Sequence, residues 1–415
     1  MIDPRTNAER IGEFIENTNS EIVFYIDIAY PKIKEILNSP KIKKAVSISA
    51  SDSLKGFLKA AYNIKNKIPK DKKPIKSDKY IDWKTFIGLS GNNTPKHRTE
   101  TNWLDLPAGI IYTSGTTGIP KGVVLSNKNL TAMVMQNICA DIGWDKNDRF
   151  LGIMPPFIAY GMVCGFVLPV CLGMRIIIIP KFEPDKFDSC IVKHRPNHIM
   201  GVPSYIEGLL HNAKIVNMDL GFLKTVIVGG DKLNTETEVA VNNFLKDHNA
   251  KCKVVKGYGL SEMSSNAVFP RCDECNKVGS VGTPLINNNI KIIDSETNKE
   301  LTYNEVGEIC LSGPTLILGY WNNDDETLKV FKLEGGERWI HTGDRGYIDN
   351  DGVLFFNDRV KRIIIRSDGH NVWPSESEKL RQYRTNRRTH LACILFRHLD
   401  QIFLDLRQQA CVKFS

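Results

Sequence analysis

The sequence predicts an α/β protein with parallel-rich sheets and flanking helices, and three observations carry that expectation. Short apolar runs of strand length alternate with helical periodicity through residue 250 or so. Past Asn288 the alternation gives way to strands separated by Gly, Asp and Asn turns. The composition, 415 residues with 42% hydrophobic and 25% charged, is that of a globular chain long enough for a sizeable core.

The elements follow in order. Residues 8–17 read as a helix and 21–27 as a strand. Residues 28–37 read as a helix that starts late, because proline, here Pro31, suits only a first turn. Residues 46–49 form a short strand, and 106–113 an apolar strand that runs into a Gly/Thr loop. Ser126 can cap a helix over 127–140, its hydroxyl accepting from a first-turn N–H. Residues 150–153, 175–180, 198–202 and 225–228 are further apolar strands with helical segments between them, a pattern that implies right-handed crossovers and parallel pairing. Residues 289–294, 307–312, 339–342 and 353–357 read as strands of a smaller β subdomain. A break falls near Asp358-Arg359, and the arginine-rich stretch 379–415 has no clear period.

Several function classes are excluded. The net charge of +8, from 55 basic and 47 acidic residues, comes from scattered lysines with no recognition motif, so no nucleic acid is expected. The lysine-rich run 65–79, with Pro69 and Pro74, reads as a solvated loop. Met1-Ile2-Asp3-Pro4-Arg5 lacks the apolar run of a secretory signal. Residues 160–180 are apolar, but Gly161, Gly165, Pro169, Gly173 and Arg175 interrupt them. A buried helix followed by a buried strand at 176–179 is expected there, not a membrane span. The ten cysteines are mostly scattered singly, as for reduced thiols in the cytoplasm. Cys272-Asp-Glu-Cys275 is the one close pair, and without a second pair or a His cluster zinc is not expected.

The most specific signal is Tyr112-Thr113-Ser114-Gly115-Thr116-Thr117-Gly118-Ile119-Pro120-Lys121-Gly122. Its glycines let backbone N–H groups converge, its hydroxyls add donors, and Lys121 adds a mobile positive charge, a combination suited to a polyphosphate. The spacing is not that of G-x-x-x-x-G-K-[ST], and no helix is expected directly after the lysine. Other short motifs follow in order. They are Gly229-Gly230-Asp231-Lys232-Leu233, Gly257-Tyr258-Gly259-Leu260-Ser261-Glu262, Gly307-Glu308-Ile309 with Gly313-Pro314 and Gly319-Tyr320, Trp339-Ile340-His341-Thr342-Gly343-Asp344, and Asp358-Arg359-Val360-Lys361.

This ordered set resembles the adenylate-forming superfamily of acyl-CoA synthetases, luciferases and peptide-synthetase adenylation domains, over about residues 2–378. The resemblance implies an acid–thiol ligase. A carboxylate attacks the α-phosphate of ATP to give an acyl-adenylate and pyrophosphate, and a thiol, usually CoA, then displaces AMP. ATP, Mg²⁺ and CoA are the implied cofactors. The resemblance assigns Thr113, Ser114, Gly115, Thr116, Thr117, Gly118 and Lys121 to the phosphates, with Thr116, Lys121 and Glu262 as the catalytic set. It assigns Gly230, Asp231, Gly257, Gly259 and Leu260 to the nucleotide. Tyr258 would stack on adenine, Ser261 would contact the α-phosphate, and Glu262 would hold Mg²⁺, as suits a hard carboxylate. Asp344 would accept from both ribose hydroxyls, and Arg359 would reach ribose or phosphate.

Met154-Pro155-Pro156-Phe157-Ile158-Ala159-Tyr160-Gly161 resembles the family segment that lines the acyl pocket, with Ile158 where many acyl-CoA synthetases have a histidine. No acidic residue occurs between Phe157 and Cys171, and a buried ammonium without a partner would cost several kcal/mol, roughly. An apolar or fatty acid is therefore expected, with Phe157, Tyr160, Met162 and Val202 as pocket residues.

Two departures from the family pattern shape the remaining expectations. Ile2-Asp3-Pro4-Arg5 resembles the end of a block that a substantial N-terminal stretch normally precedes. The resemblance stops after Pro374-Ser375-Glu376, and Lys413, the only lysine after Lys379, does not sit in a Pro-Lys-Thr-x-x-Gly-Lys-like loop. The expected organisation is an α/β core over 1–288 that lacks its usual N-terminal part, a β subdomain over 289–357, and a hinge with a truncated C-terminal domain over 358–415. Impaired adenylation is expected with it. A domain that loads an acyl carrier protein, or an inactive nucleotide-binding remnant, stays open beside the ligase.

Overall fold

A computed structural model of the chain describes residues 1–3, 5–65, 77–89, 103–113, 120–140, 142–179, 182–211 and 214–359, with the backbone of 364–365 and 371–372. The chain divides into two units, Met1–Trp103 and Leu104–Ser415. In the first, Ile22–Ile26 (β1), Lys44–Ile48 (β2) and Tyr80–Asp82 (β3) form a parallel sheet in the order β1-β2-β3. Helix Ala8–Asn17 begins where the Asn7 side chain accepts from the Arg10 N–H, and it buries Phe14 and Ile15. Helix Tyr30–Leu37 starts with Pro31 in its first turn, as the sequence predicts, and turns Tyr30, Ile33 and Leu37 inward at helical spacing. With Tyr25, Ile42 and Ala45 these residues make one small core. Most of the lysine-rich run 65–79 lies outside the described residues.

In the second unit, Pro107–Thr113 (β4) and Lys121–Ser126 (β5) pair antiparallel. No element is expected over 121–125 from the sequence. Val123, Val124 and Leu125 are 0%, 6% and 0% exposed, so the run is a central strand covered on both faces. Ser126 caps helix Asn127–Cys139 reciprocally with Asn129, as expected. Arg149–Gly152 (β6), Arg175–Ile178 (β7), His198–Gly201 (β8), Thr225–Val228 (β9) and Val254–Lys256 (β10) form the parallel sheet, ordered β10-β9-β8-β6-β7.

Neighbouring residues of this sheet face opposite cores. Phe150, Met200 and Ile227 join one, while Leu151, Ile199, Val226 and Val228 join the other. Burial on both faces explains why these strands read as unbroken apolar runs. The exception is β7. Arg175 and Ile178 are exposed, Ile178 at 55%, because the sheet order leaves this strand at an edge. The expectation of a buried strand at 176–179 is thereby corrected. The preceding helical stretch is buried at Val163, Cys164 and Leu168, as expected. No helix among the described residues is long and apolar enough to cross a membrane.

Val268–Phe269 (β11) and Thr283–Pro284 (β12) form a short antiparallel pair. Asn289–Ile293 (β13) and Gly307–Ser312 (β14) begin an antiparallel sheet, and Gly319–Tyr320 (β15) adds to β5. Helix Asp324–Val330 leads to Phe331–Glu334 (β16), Glu337–Ile348 (β17) and Leu354–Arg359 (β18), which complete the order β13-β14-β17-β16 with β18 on β17. Ile292, Ile309, Leu311, Ile340 and Leu354 of this sheet share a core with Met200 and Ile227 of the parallel one. The two sheets thus bury one continuous apolar surface within the second unit.

Candidate active site

Ligands of open parallel sheets bind beyond the carboxyl ends of the strands. There, past β9 and β10, the second unit holds a cavity of about 1170 Å³. Gly230, in the left-handed region at φ +81°, turns the chain after β9. After β10 the segment Gly257 to Glu262 forms one wall, with Gly257, Gly259, Leu260, Ser261 and Glu262 lining the cavity.

The turn that holds this wall is strained. Ser264 and Ser265 lie at φ +54° and +97°, in a region side chains avoid. The Ser265 N–H donates to the Leu260 carbonyl at 3.1 Å, and the Ser264 hydroxyl donates to the Thr315 carbonyl at 2.8 Å. The Ser265 carbonyl is folded back so closely that a Cβ on Gly259 would stand 1.7 Å from it. Gly259→Ala is therefore expected to destabilise the protein by about 1–3 kcal/mol, as overpacking does. Gly88→Ala, where a Cβ would meet nothing within 4 Å, serves as control. Thermal melts that leave Gly259→Ala level with Gly88→Ala would contradict this.

Across the cavity, β17 and β18 set Asp344 opposite Arg359. Asp344 is 2% exposed. Its Oδ2 accepts from the Tyr258 hydroxyl at 2.9 Å. Arg359 Nε stands 2.9 Å from Oδ1 as an ion pair, but its N–H is not aimed at that oxygen, which accepts no aligned hydrogen bond. Burial holds the Asp344 carboxyl above its ordinary range, against the pull of Arg359 and Tyr258, and Glu262 adds to the rise. Such a carboxylate is short of donors, which suits the pair of hydroxyls a ribose offers.

A second constellation lies on β5 and β15. Lys121 Nζ pairs with Glu326 of helix Asp324–Val330 at 2.5 Å and sits 4.9 Å from the centre of the Tyr320 ring. The Tyr320 hydroxyl donates to Glu262 Oε1 at 2.7 Å. Lys121 and then Lys329 hold the Glu326 carboxyl down at about 2, so the carboxylate partner persists to strongly acid pH. Burial and the Glu262 charge push the Tyr320 phenol up, so it remains a donor. Cation, phenol and Glu262 thus form a chain along one wall.

His341 borders the same cavity between two carboxylates. Its Nδ1 lies 3.7 Å from Glu308 and its Nε2 lies 3.3 Å from Glu334, which also pairs with Lys291. Glu308 in turn accepts from the Gly343 N–H at 2.8 Å, next to Asp344. Glu308 first, and Glu334 with it, hold the imidazole above its ordinary 6.5 against burial. A raised folded-state value contributes stability that is complete below pH 6.5 and fades as pH rises through that value. The wild type should therefore exceed His341→Gln in urea midpoint by more at about pH 6 than at about pH 9. Equal differences at both pH values would refute this.

The far side of the cavity is apolar. Tyr160–Val167 is a π-helix that continues into helix Leu168–Cys171. It presents Tyr160, Cys164 and Leu168 to the cavity, facing Met200 and Ile227 of the sheet. Tyr160 donates to the Gly201 carbonyl at 3.2 Å and lies against Gly229, where a Cβ would come within 3.1 Å of the ring. Burial pushes the Cys164 thiol up to about 11, so it stays protonated, in hydrogen-bond contact with the Ser265 hydroxyl at 3.2 Å.

Of the residues singled out from the sequence, Thr113, Lys121, Gly230, Gly257 and Gly259 line the cavity, as do Leu260, Ser261, Glu262, Asp344, Arg359 and Tyr160. Ser114, Gly115, Thr116, Thr117 and Gly118 lie outside the described residues. Five of the expected residues are not among those that line the cavity. Tyr258 does not offer its ring to the cavity. It is 7% exposed, stacked on Phe356, and anchors Asp344 instead. Asp231 is exposed and accepts from the Lys232 N–H in its own turn. Phe157, Met162 and Val202 do not line the cavity. Met162 packs toward Gly109 and Val202 lies by Gly230; positions 160, 164 and 168, four residues apart, share one helix face, and position 162 falls opposite it. Sequence reasoning missed Glu326, Tyr320, Glu308 and His341 as site residues. Glu326 has one local signal, its N–H bonded to the Asn323 side chain, and that marks a helix start and not an ion pair.

Comparison with known proteins bears on this geometry. A family described as AMP-binding enzyme matches residues 1–321. The chain belongs to the AMP-binding enzyme family. The resemblance read from the ordered motifs is thereby borne out. A long-chain-fatty-acid–CoA ligase of Bacillus subtilis is 32% identical over 380 residues, covering 88% of this chain and 63% of the relative. A probable 4-coumarate–CoA ligase 3 of Dictyostelium discoideum is 31% identical over 385 residues, covering 92% of this chain and 66% of the relative. The AMP-binding fold recurs in ATP-bound MatB from Rhodopseudomonas palustris, with a TM-score of 0.72 at 24% identity over 91% of this chain and 66% of that one. This chain therefore spans just under two thirds of the length of these relatives.

Proposed function

We propose that the protein is an acid–thiol ligase that activates a carboxylic acid with ATP and passes the acyl group to CoA. One observation carries the reading. A single cavity joins a polar end, with Lys121, Glu262, Asp344 and Arg359, to an apolar end, with Tyr160, Cys164, Leu168, Met200 and Ile227. The likeness to fatty-acid and 4-coumarate CoA ligases supports it.

The chain's residues fit the implied groups. Asp344 offers a buried acceptor with no aligned donor on one oxygen, which suits the ribose. Glu262 offers a hard carboxylate for Mg²⁺, steadied by Tyr320. Lys121 at the start of β5 and Thr113 at the end of β4 flank the loop assigned to the phosphates. ATP supplies the α-phosphate that the acid's carboxylate attacks, and the chain's part is to offset charge between two anions and keep water out. Among the described residues the apolar end carries no carboxylate to pair with an ammonium, which favours an apolar or fatty acid over an amino acid. The mostly single, scattered cysteines of the sequence fit a cytosolic setting.

Calorimetry with ATP and Mg²⁺, followed by ATP–pyrophosphate exchange with a panel of fatty, aromatic and amino acids, tests the reading. Nucleotide binding with exchange that depends on an apolar acid supports it, and absence of nucleotide binding refutes it. Thioester formation with carrier-protein pantetheine and not with CoA would replace the acceptor.

A further inference from the structure

The turn between β11 and β12 carries chemistry that acid activation does not use. Within it Cys272 and Cys275 are the first and last residues of a tight four-residue turn, closed by the Cys275 N–H donating to the Cys272 carbonyl at 3.2 Å. Their Sγ atoms lie 2.7 Å apart, Cys272 exposed and Cys275 half-buried. The turn is tied down on both sides. The Arg271 Nε donates to Thr283 Oγ1 at 3.3 Å, and the Asn276 amide donates to the Val254 carbonyl at 3.0 Å. Among the described residues no three or more His, Cys, Asp or Glu side chains gather to hold a metal, whereas a structural zinc takes four ligands. Two thiols in contact on a held, accessible turn suit a different reaction, closure to a disulfide.

We propose that Cys272 and Cys275 form a redox-active dithiol, which closes to an intramolecular disulfide by exchange with a small disulfide of the glutathione class. The more exposed Cys272 attacks first. Its thiolate forms a mixed disulfide and releases one glutathione thiolate. Cys275 then gives its proton to solvent, and its thiolate attacks Cys272 Sγ and expels the second glutathione. One glutathione disulfide is reduced to two thiols as two protein thiols are oxidised to one disulfide.

Trypsin makes the test direct. Cleavage after Arg271 and Lys277 releases Cys272-Asp-Glu-Cys275-Asn-Lys277, which holds both cysteines and no other. The whole protein is exposed to glutathione disulfide, quenched in acid, alkylated with N-ethylmaleimide, digested and weighed. The expected product is an unalkylated peptide lighter by two hydrogens, which returns to the doubly alkylated form after dithiothreitol. The exposed single cysteines Cys139 and Cys171 carry glutathione or alkyl groups in the same digest. Cys275→Ser should trap glutathione on Cys272, because the resolving thiol is gone. In urea the chain should need a glutathione disulfide-to-thiol ratio roughly fivefold or more higher for half closure, since the turn no longer holds the thiols together. The proposal is overturned if the wild-type peptide stays doubly alkylated where Cys139 is modified, if it ends as a stable glutathione adduct, or if urea leaves the ratio unchanged.

Discussion

Asp344→Ala is expected to weaken binding of ATP or AMP by roughly a hundredfold or more. Two hydroxyl donors on a buried carboxylate are charge-assisted bonds worth about 1.5–3 kcal/mol each, and about 3 kcal/mol in total is a factor of roughly a hundred. Two further effects act in the same direction. The Tyr258 hydroxyl loses its acceptor inside the core, and Arg359 loses the charge that holds it at the end of β18. Asp344→Asn keeps the shape and one acceptor oxygen but not the charge, and should fall between wild type and alanine. Calorimetric titration with the Mg²⁺ nucleotide reads the effect. Circular dichroism separates loss of binding from loss of fold. Affinity within threefold of wild type in a folded Asp344→Ala protein would remove Asp344 from the nucleotide site.

Glu238→Ala should be the most destabilising single change away from the cavity. Glu238 of helix Thr235–Asp247 and Lys256 of β10 form an ion pair with side chains 1% and 6% exposed. The second oxygen of Glu238 accepts from the Gly279 N–H at 3.0 Å. Removing the carboxylate leaves a buried ammonium without its counter-charge, with the Lys277 carbonyl at 3.4 Å as a long acceptor, which costs about 3–5 kcal/mol, whereas replacing both members by apolar side chains is near neutral. Burial already holds the Lys256 ammonium below its ordinary value, opposed by Glu238, so the single variant shifts that balance further. A melting temperature about 5–10 °C lower is expected for Glu238→Ala, with most of the loss recovered in Glu238→Leu/Lys256→Met. A single variant that melts with the wild type would show that water reaches Lys256.

Much of the polar end of the cavity was legible in the sequence. The segment from Gly257 to Glu262 follows the end of β10, the Gly343-Asp344 pair lies within β17, and their glycines answer to local geometry. Gly230 and Gly343 take positive φ, and Gly259 leaves no room for a Cβ. Helix starts were equally local. Ser126 and its partner Asn129 are three residues apart, as are Asn7 and the Arg10 N–H that it caps at the start of helix Ala8–Asn17. The apolar end was less legible. Residues 160–171 are apolar on every face, so hydropathy does not mark that the side with Cys164 and Leu168 meets the cavity and the side with Met162 does not. The edge position of β7 was hidden for a related reason, since an apolar run shows that a strand can be buried but not which strands flank it.

By itself, the sequence determined the alternating elements, the order of the motifs and the membership in the AMP-binding family, because these depend on spacings of a few residues. Only the tertiary structure decided what each side chain meets. Lys121 finds Glu326 across 205 positions of chain, Tyr258 turns from the cavity to hold Asp344 across 86, and Tyr320 reaches Glu262 across 58. Such partners are chosen by strand order and register, which depend on the whole buried surface of the sheets and on no short stretch of it.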